Sequence, residues 1–343
     1  MPIPPAPPEF YMPAPATKTF APLTVAITRG AIDESLHRVH AVVMQGDGKT
    51  AAIYGDAARV IYPRSTLKPL QAIALVESGA AAAFGVSDAE LALACASHSG
   101  EDIHVQTAAA WLQRIGFDET HLDCGAHAPY ADGCKPACIL CNNCSGKHTG
   151  MLTLAKFLDV SAAGYLDTAH PVQDMILSTV AEMCGITRHP ADCGIDGCSA
   201  PNPAMPLSAL ARGFAAFMRA DKSGFRRGSA CRHLYQAMTD HPLLVGGSKN
   251  RLDTVLMQTA NGAIMSKTGA EGCYIAVIPA KDTVIALKAE DGAQRAAQAA
   301  LYTLLAKHAL ADEKVLTAIR PLCLPDIRNW QGTQTGALYV HDF

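Results

Sequence analysis

The stretch Ser266–Asp291, SKTGAEGCYIAVIPAKDTVIALKAED, decides the fold. From Gly272 onward it reads as two apolar runs joined by a short polar turn, the pattern of a β-hairpin. The amphipathic helix AQRAAQAALYTLLAKHAL (Ala293–Leu310) follows it. A second hairpin signal lies near the other end: RVHAVVMQGDGKTAAIYGD (Arg38–Asp56) alternates apolar residues around Gly46-Asp47-Gly48. Before it, LTVAITRG (Leu23–Gly30) reads as a strand. From Val86 to about Leu256 helical spacing dominates, with long loops around Cys134 and Pro201. Strands at both ends and helices between predict an α+β fold: one antiparallel sheet built from both chain ends, with flanking helices and an inserted, mainly helical region. The expected organisation is a proline-rich arm over residues 1–22 and a single unit over 23–343. Its sheet part covers about 23–64 and 257–343, its helical part about 65–256.

The bulk composition excludes several classes. The chain has 343 residues, 49% hydrophobic and 17% charged, which suits a large packed core and argues against extensive disorder. A net charge of −3 supplies no basic field for a phosphate backbone, so no nucleic-acid partner is expected. No apolar run reaches the ~18 residues of a membrane span. The N-terminal MPIPPAPPEFYMPAPATKTFAP lacks the charged start and apolar run of a secretion signal and reads as an extended arm. A cytosolic location follows, and in it the twelve cysteines are expected to be reduced.

The stretch Ser65–Ala80, STLKPLQAIALVESGA, opens a helix in which Leu67, Leu70, Ala74 and Leu75 recur at helical spacing. Ser65 stands at its N-cap or first turn, and Lys68 lies one turn on, on the same face. A neutral lysine can take the proton from a serine hydroxyl and make it a nucleophile. Holding lysine neutral at pH 7 requires a shift of about three pKa units, about 4 kcal/mol, which burial or nearby positive charge supplies. By itself S-x-x-K is common, and an N-cap serine with a surface lysine explains it as well. Lys267, in SKTG beside a predicted strand, adds a second element. S-x-x-K at a helix start and K-T-G at a sheet edge are paired motifs of serine β-lactamases and penicillin-binding proteins. Between them ACASHSGED offers Ser97 or Ser99 as the middle serine.

The densest signal is ADGCKPACILCNNCSGKHTGML (Ala131–Leu152), with Cys134, Cys138, Cys141 and Cys144 ahead of Lys147 and His148. Cys144 and Lys147 are three apart on a helix turn, and Cys198 is distant in sequence, in a loop flanked by Gly197 and Pro201. Two thiolates and a nitrogen donor suit a tetrahedral zinc site with one open position. Lysine is an unusual ligand because it must lose its proton to coordinate.

Five stretches together resemble the rhizobial-type, or class 3, L-asparaginase family: YPRSTLKPLQ (Tyr62–Gln71), ASHSGE (Ala96–Glu101), NNCSGKH (Asn142–His148), GIDGCSAPNPAMPL (Gly194–Leu207) and MSKTGAEG (Met265–Gly272). The resemblance runs from about Leu23 to about Val340. It implies a serine β-lactamase-like fold and hydrolysis of L-asparagine to aspartate and ammonia by a homodimer. It also implies Ser65 as nucleophile with Lys68 as its base, and Ser97 with Lys267 as a second serine–lysine pair. Cys144, Lys147 and Cys198 would hold zinc. Arg64, His148 and Asp196 would line the substrate pocket, with Asp196 accepting the α-ammonium group. As a departure, the family more often has His where this chain has Cys141, so Cys134, Cys138 and Cys141 fall outside the resemblance.

Those three cysteines, spaced C-x3-C-x2-C, also resemble the cluster loop of radical S-adenosylmethionine enzymes, whose thiolates hold an iron–sulfur cluster. Against it, the chain lacks the alternating strands and helices of the barrel such enzymes use. A zinc-dependent nucleobase deaminase fails because PACILC and HSGE miss the required spacings. A non-catalytic zinc knuckle leaves S-x-x-K and K-T-G unexplained. A broader amidase or glutaminase of the same fold is the alternative within the same chemistry. The plain expectation for Cys134, Cys138 and Cys141 is a loop of incidental or mildly redox-sensitive thiols, and for His98 and His127 loop hydrogen bonds.

Overall fold

The computed structural model describes residues 17–131, 133, 136–189, 192–219 and 225–341. Most of the expected arm and Cys134 therefore lie outside the described residues. Among those described, the main sheet has nine strands. Its path runs Asp326–Arg328, Gln334–Val340, Leu23–Arg29, Ile32–Gln45, Thr283–Ala289, Cys273–Ile278 and Met265–Gly269, and every neighbouring pair on it is antiparallel. Ile32–Gln45 also pairs with Thr50–Tyr54, and Lys18–Phe20 adds to that strand in parallel, with the Phe20 ring stacked on Tyr54. The end of the expected arm is thus a strand of the sheet. The expected α+β class, with an antiparallel sheet drawn from both ends, is what the chain adopts.

Alternation along the strands builds two cores. Val42, Met44, Ile275, Val277, Val284 and Ala286 face the inserted helices. Ala41, Val43, Tyr274, Ala276, Ile285 and Leu287 face the other way, onto helices Gln294–Lys307 and Glu313–Cys323. On the first side, helix Lys68–Glu77 is buried from Lys68 through Leu75. It packs against helices Ser145–Phe157, Pro171–Cys184 and Phe225–Asp240. A helix enclosed on all sides is expected to be apolar, so a lysine at its first position is the exception that marks a site. No helix among the described residues is long and apolar enough to cross a membrane.

Of the two places expected for Ser65, the N-cap or the first turn, it takes not the N-cap but the tight turn that leads into the helix. Arg64–Leu67 form a 3-10 turn, and Leu67 occupies the N-cap of the α-helix without a side-chain cap bond. Pro69 at the second helical position explains the offset: its ring suits the first turn, where no N–H is needed. Two glycines let elements meet at the site. A Cβ on Gly269 would lie 2.9 Å from the Pro63 carbonyl oxygen, so the Lys-Thr-Gly strand packs directly on the turn that carries Ser65. A Cβ on Gly146 would lie 2.4 Å from the Leu93 carbonyl oxygen.

Gly146→Ala should therefore force helix Ser145–Phe157 away from helix Asp88–Ala94. A loss of about 1–3 kcal/mol in urea unfolding is expected, the usual cost of overpacking.

Candidate active site

Three distant segments converge on one hydroxyl. Ser97 follows helix Asp88–Ala94 and is held by its backbone: its N–H donates to the Val245 carbonyl at 3.0 Å, and its own carbonyl accepts from Arg251. Its Oγ accepts from Lys68 Nζ at 3.1 Å and from Lys267 Nζ at 2.9 Å. Lys68 arrives on the central helix and Lys267 on the sheet edge, and both are buried. The Ser97–Lys267 contact coincides with one expected pair. The other differs: Lys68 donates to Ser97, to the Ala96 carbonyl and to the Asn143 carbonyl (3.3 Å), while the Ser65 hydroxyl makes no hydrogen bond among the described residues. Lys68 turns inward at the buried start of the helix, where the Ala96 and Asn143 carbonyls and the Ser97 hydroxyl accept its hydrogen bonds.

Two ammonium groups on one oxygen repel each other, so the arrangement favours one neutral amine. Burial, reinforced by the charges of Lys68 and Arg251 and opposed by Asp253, pushes Lys267 down to about 7. A cavity of about 410 Å³ opens over Ser65 and Ser97, rimmed by Tyr130, Asn143, Arg251 and Thr268. That is the size range of small-molecule sites.

Arg64 precedes Ser65 with φ +54°, a left-handed conformation that costs a non-glycine residue about 1–3 kcal/mol. Its guanidinium Nε donates to Asp196 Oδ1 at 2.8 Å, and Glu271 lies 3.9 Å away. Burial opposes the Arg64 charge, but Asp196 and Glu271 outweigh it and raise its pKa. The two expected substrate-binding groups thus pair with each other in this state, next to Ser65.

The thiols Cys144 and Cys198 come together as expected. Cys144 caps helix Ser145–Phe157, Lys147 lies in its first turn, and Lys147 Nζ donates to Cys198 Sγ at 3.0 Å. The hydrogen bond from Cys144, with help from the Lys147 charge, holds the Cys198 thiol far below its ordinary pKa. Cys144, hydrogen bonded to that sulfur and buried, is pushed well up and keeps its proton. Burial works against Lys147, but the charges of Cys198 and Asp196 raise its pKa. Of the two thiols, Cys198 is thus the one that ionises more readily, with the Lys147 amine against it. His148 sits beside it, fully buried, with Nδ1 2.6 Å from the Tyr165 hydroxyl and Nε2 without a hydrogen-bond partner. It does not line the cavity over Ser65. Among the described residues, no group of three or more His, Cys, Asp and Glu side chains is arranged to hold a metal ion, so a cation here must recruit Lys147. The donor set fits a soft cation: Cys198 ionises readily, a second thiol is in contact with it, and a dication can replace the Lys147 proton charge.

The iron–sulfur alternative is corrected. Cys138 and Cys141 are joined in a disulfide, with Cα atoms 5.1 Å apart, and so cannot serve as cluster thiolates; the antiparallel sheet also differs from the barrel such enzymes need. The expectation of reduced thiols fails at this pair, because the C-x-x-C turn brings the two Cβ atoms within bonding reach. His98 bonds Ser145 Oγ and the Gly100 N–H, and His127 accepts from the Asn143 N–H, the loop roles expected of them. Sequence reasoning missed Arg251 and Asp253. An acid in the first turn of a helix reads as ordinary dipole pairing, which hides its burial.

A family model described as L-asparaginase II matches residues 25–340. No curated relative matches the chain. Among solved structures, the chain is similar to a β-lactamase from Mycobacterium bovis, with 12% identity and a TM-score of 0.43 over 80% of this chain and 95% of that one.

Peptide mapping after alkylation of denatured, unreduced protein should leave Cys138 and Cys141 unlabelled, and reduction should expose both. Replacing the pair by serine should lower stability by at most about 2 kcal/mol, because the closed loop is short.

Proposed function

The chain belongs to the L-asparaginase II family, and from that premise we propose that it hydrolyses the side-chain amide of L-asparagine to aspartate and ammonia. The observation that carries the proposal is the Ser97 hydroxyl gripped by two buried lysines beneath a cavity that Ser65 also lines. In this reading Ser65 attacks the amide carbon, since it stands free at the cavity wall. Its proton passes to Lys68, one turn on, once substrate draws the two together, as Lys68 gives up a proton through the Ser97 hydroxyl to neutral Lys267; such contacts are often loose in the free enzyme. Ser97 links Lys68 to Lys267, so the proton charge is shared with an amine poised near neutral pH. The proton then leaves with ammonia, and water releases aspartate from the acyl-enzyme by the same steps in reverse. The Ser65 N–H and a donor on the Lys-Thr-Gly strand would hold the oxyanion.

The Arg64–Asp196 ion pair supports an amino-acid substrate. An α-carboxylate and an α-ammonium group can replace the two partners of that pair in a single exchange, the carboxylate on Arg64 and the ammonium on Asp196. His148, buried beside the sulfur cluster, would act through that cluster rather than by touching substrate. Cys144, Lys147 and Cys198 would hold zinc, which when bound would supply a fixed positive charge to orient substrate and stiffen the wall. A cytosolic homodimer completes the reading.

One observation favours a second assignment: Ser97, not Ser65, has the hydroxyl in contact with both amines, so Ser97 could be the nucleophile and Ser65 its relay. Trapping the acyl-enzyme and mapping the modified serine by mass spectrometry separates the two, with Ser65 expected. Ser65→Ala should lower kcat by at least about a thousandfold with an unchanged melting temperature. Because neutral Lys267 is the working form, kcat/KM should fall about tenfold per unit as pH drops below about 7. Ammonia release from asparagine should exceed that from glutamine; equal rates would favour the broader amidase or glutaminase, since one methylene discriminates by only about 1–3 kcal/mol. Cys198→Ser should reduce the zinc content found by elemental analysis.

A further inference from the structure

The second residue of helix Leu252–Ala260 is Asp253, 1% exposed, and three elements enclose its carboxylate. Oδ1 accepts from the Tyr274 hydroxyl at 2.5 Å and from Ser266 Oγ at 3.1 Å. Oδ2 accepts from the Thr268 N–H at 3.0 Å and lies 3.9 Å from Lys267 Nζ. A buried carboxylate is expensive unless it is hydrogen bonded and balanced by charge. Three donors and the helix N-terminus meet the first need; Lys267 meets the second.

We propose that Asp253 is the positioning residue for Lys267: it fixes the amine beneath Ser97 and sets how tightly that amine holds its proton. The geometry separates attraction from hydrogen bonding. At 3.9 Å the carboxylate attracts the ammonium form without occupying one of its donors. The lysine nitrogen thereby stays on Ser97 Oγ at 2.9 Å and on the Thr268 carbonyl at 2.7 Å. Thr268 joins the two partners, giving its N–H to Asp253 and its carbonyl to Lys267.

Lys267 faces charged groups from every side. Lys68 on the central helix and Arg251 before the Asp253 helix disfavour its charge, while Asp253 favours it; Cys144, which keeps its proton, adds no charge. Cys95 and Tyr274 are also near, and burial pushes both pKa values up, so neither is charged at neutral pH. Asp253 is thus the acid that opposes two cations. Removing its charge should let Lys267 lose its proton at lower pH.

The inference rests on the proposed role of Lys267 as a proton acceptor, and the test keeps the two apart. Asp253→Asn conserves shape. Its amide oxygen can keep the Thr268 N–H, and the hydroxyls of Tyr274 and Ser266 can turn to accept from its N–H. In protein carrying 13C-labelled lysine, the Lys267 signal is the one absent from Lys267→Met. In Asp253→Asn that signal should titrate about one unit lower or more, as expected for a lost opposite charge within ~4 Å. The acid limb of kcat/KM for asparagine should move with it. Asp253→Glu, which keeps the charge, should titrate near the wild-type value. An unmoved Lys267 signal in Asp253→Asn overturns the proposal, and so does an equal fall in Asp253→Glu, which would point to disturbed packing. A signal that moves while the kinetic limb stays supports the role of Asp253 and removes Lys267 from the reaction instead. If Asp253→Asn does not fold, Asp253→Ser with the same two readouts carries the same outcomes.

Discussion

The structure depends on burying two amines around one hydroxyl. Lys68 and Lys267 are among the most enclosed large side chains of the molecule, and amines of this kind rarely leave water. Both are tolerated because carbonyl oxygens and Ser97 accept their protons and because Asp253 supplies one negative charge close by. The shell around them is rigid for the same reason: Ser97 is tied through its N–H, its carbonyl and its hydroxyl, so it cannot drift from the lysines without breaking several bonds together. Polar networks enclosed in this way gain strength from the low local dielectric and lose heavily when incomplete.

Around this centre the fold assigns each partner to a different layer. The central helix supplies Lys68, the sheet edge supplies Lys267, and the loop after helix Asp88–Ala94 supplies Ser97. The sulfur cluster comes from the start of helix Ser145–Phe157 and the loop at Cys198, where the Lys147 ammonium faces the Cys198 sulfur. Asn143 connects the two groups: its backbone carbonyl takes a Lys68 proton, and its side-chain oxygen faces the Cys144 sulfur at 3.1 Å.

Much of this was legible in the residues. Cys273–Ile278 and Thr283–Ala289 are apolar almost throughout because both faces of those strands are covered, and each face has its own core. The last two strands were not legible: DIRNWQGTQTGALYV (Asp326–Val340) is largely exposed and polar, so its pairing comes from tertiary position and not from pattern. Site membership was readable where motifs concentrate, at Ser65, Lys68, Ser97, Lys267, Cys144, Lys147 and Cys198. The direction of side chains was not. Nothing in S-x-x-K says that Lys68 turns to Ser97, or that Arg64 and Asp196 pair before substrate arrives, because both follow from packing between separate segments, 29 residues apart in the first case and 132 in the second. The Cys138–Cys141 bond was hidden by the expectation attached to the compartment, although the spacing permits it.

The sheet places residues from the two ends of the polypeptide side by side, with Val25 opposite Val340 and Val39 opposite Ala289. During synthesis, the early strands wait at an open edge while more than two hundred residues of helical insert emerge. Loop closure over such a span is slow and leaves apolar edges uncovered in the meantime. Assembly must therefore finish where translation finishes, and Lys267 reaches its pocket only near that end. A chain cut short before Met265 carries Lys68 and Ser97 but lacks Lys267, so the paired amines exist only once the sheet edge has been made.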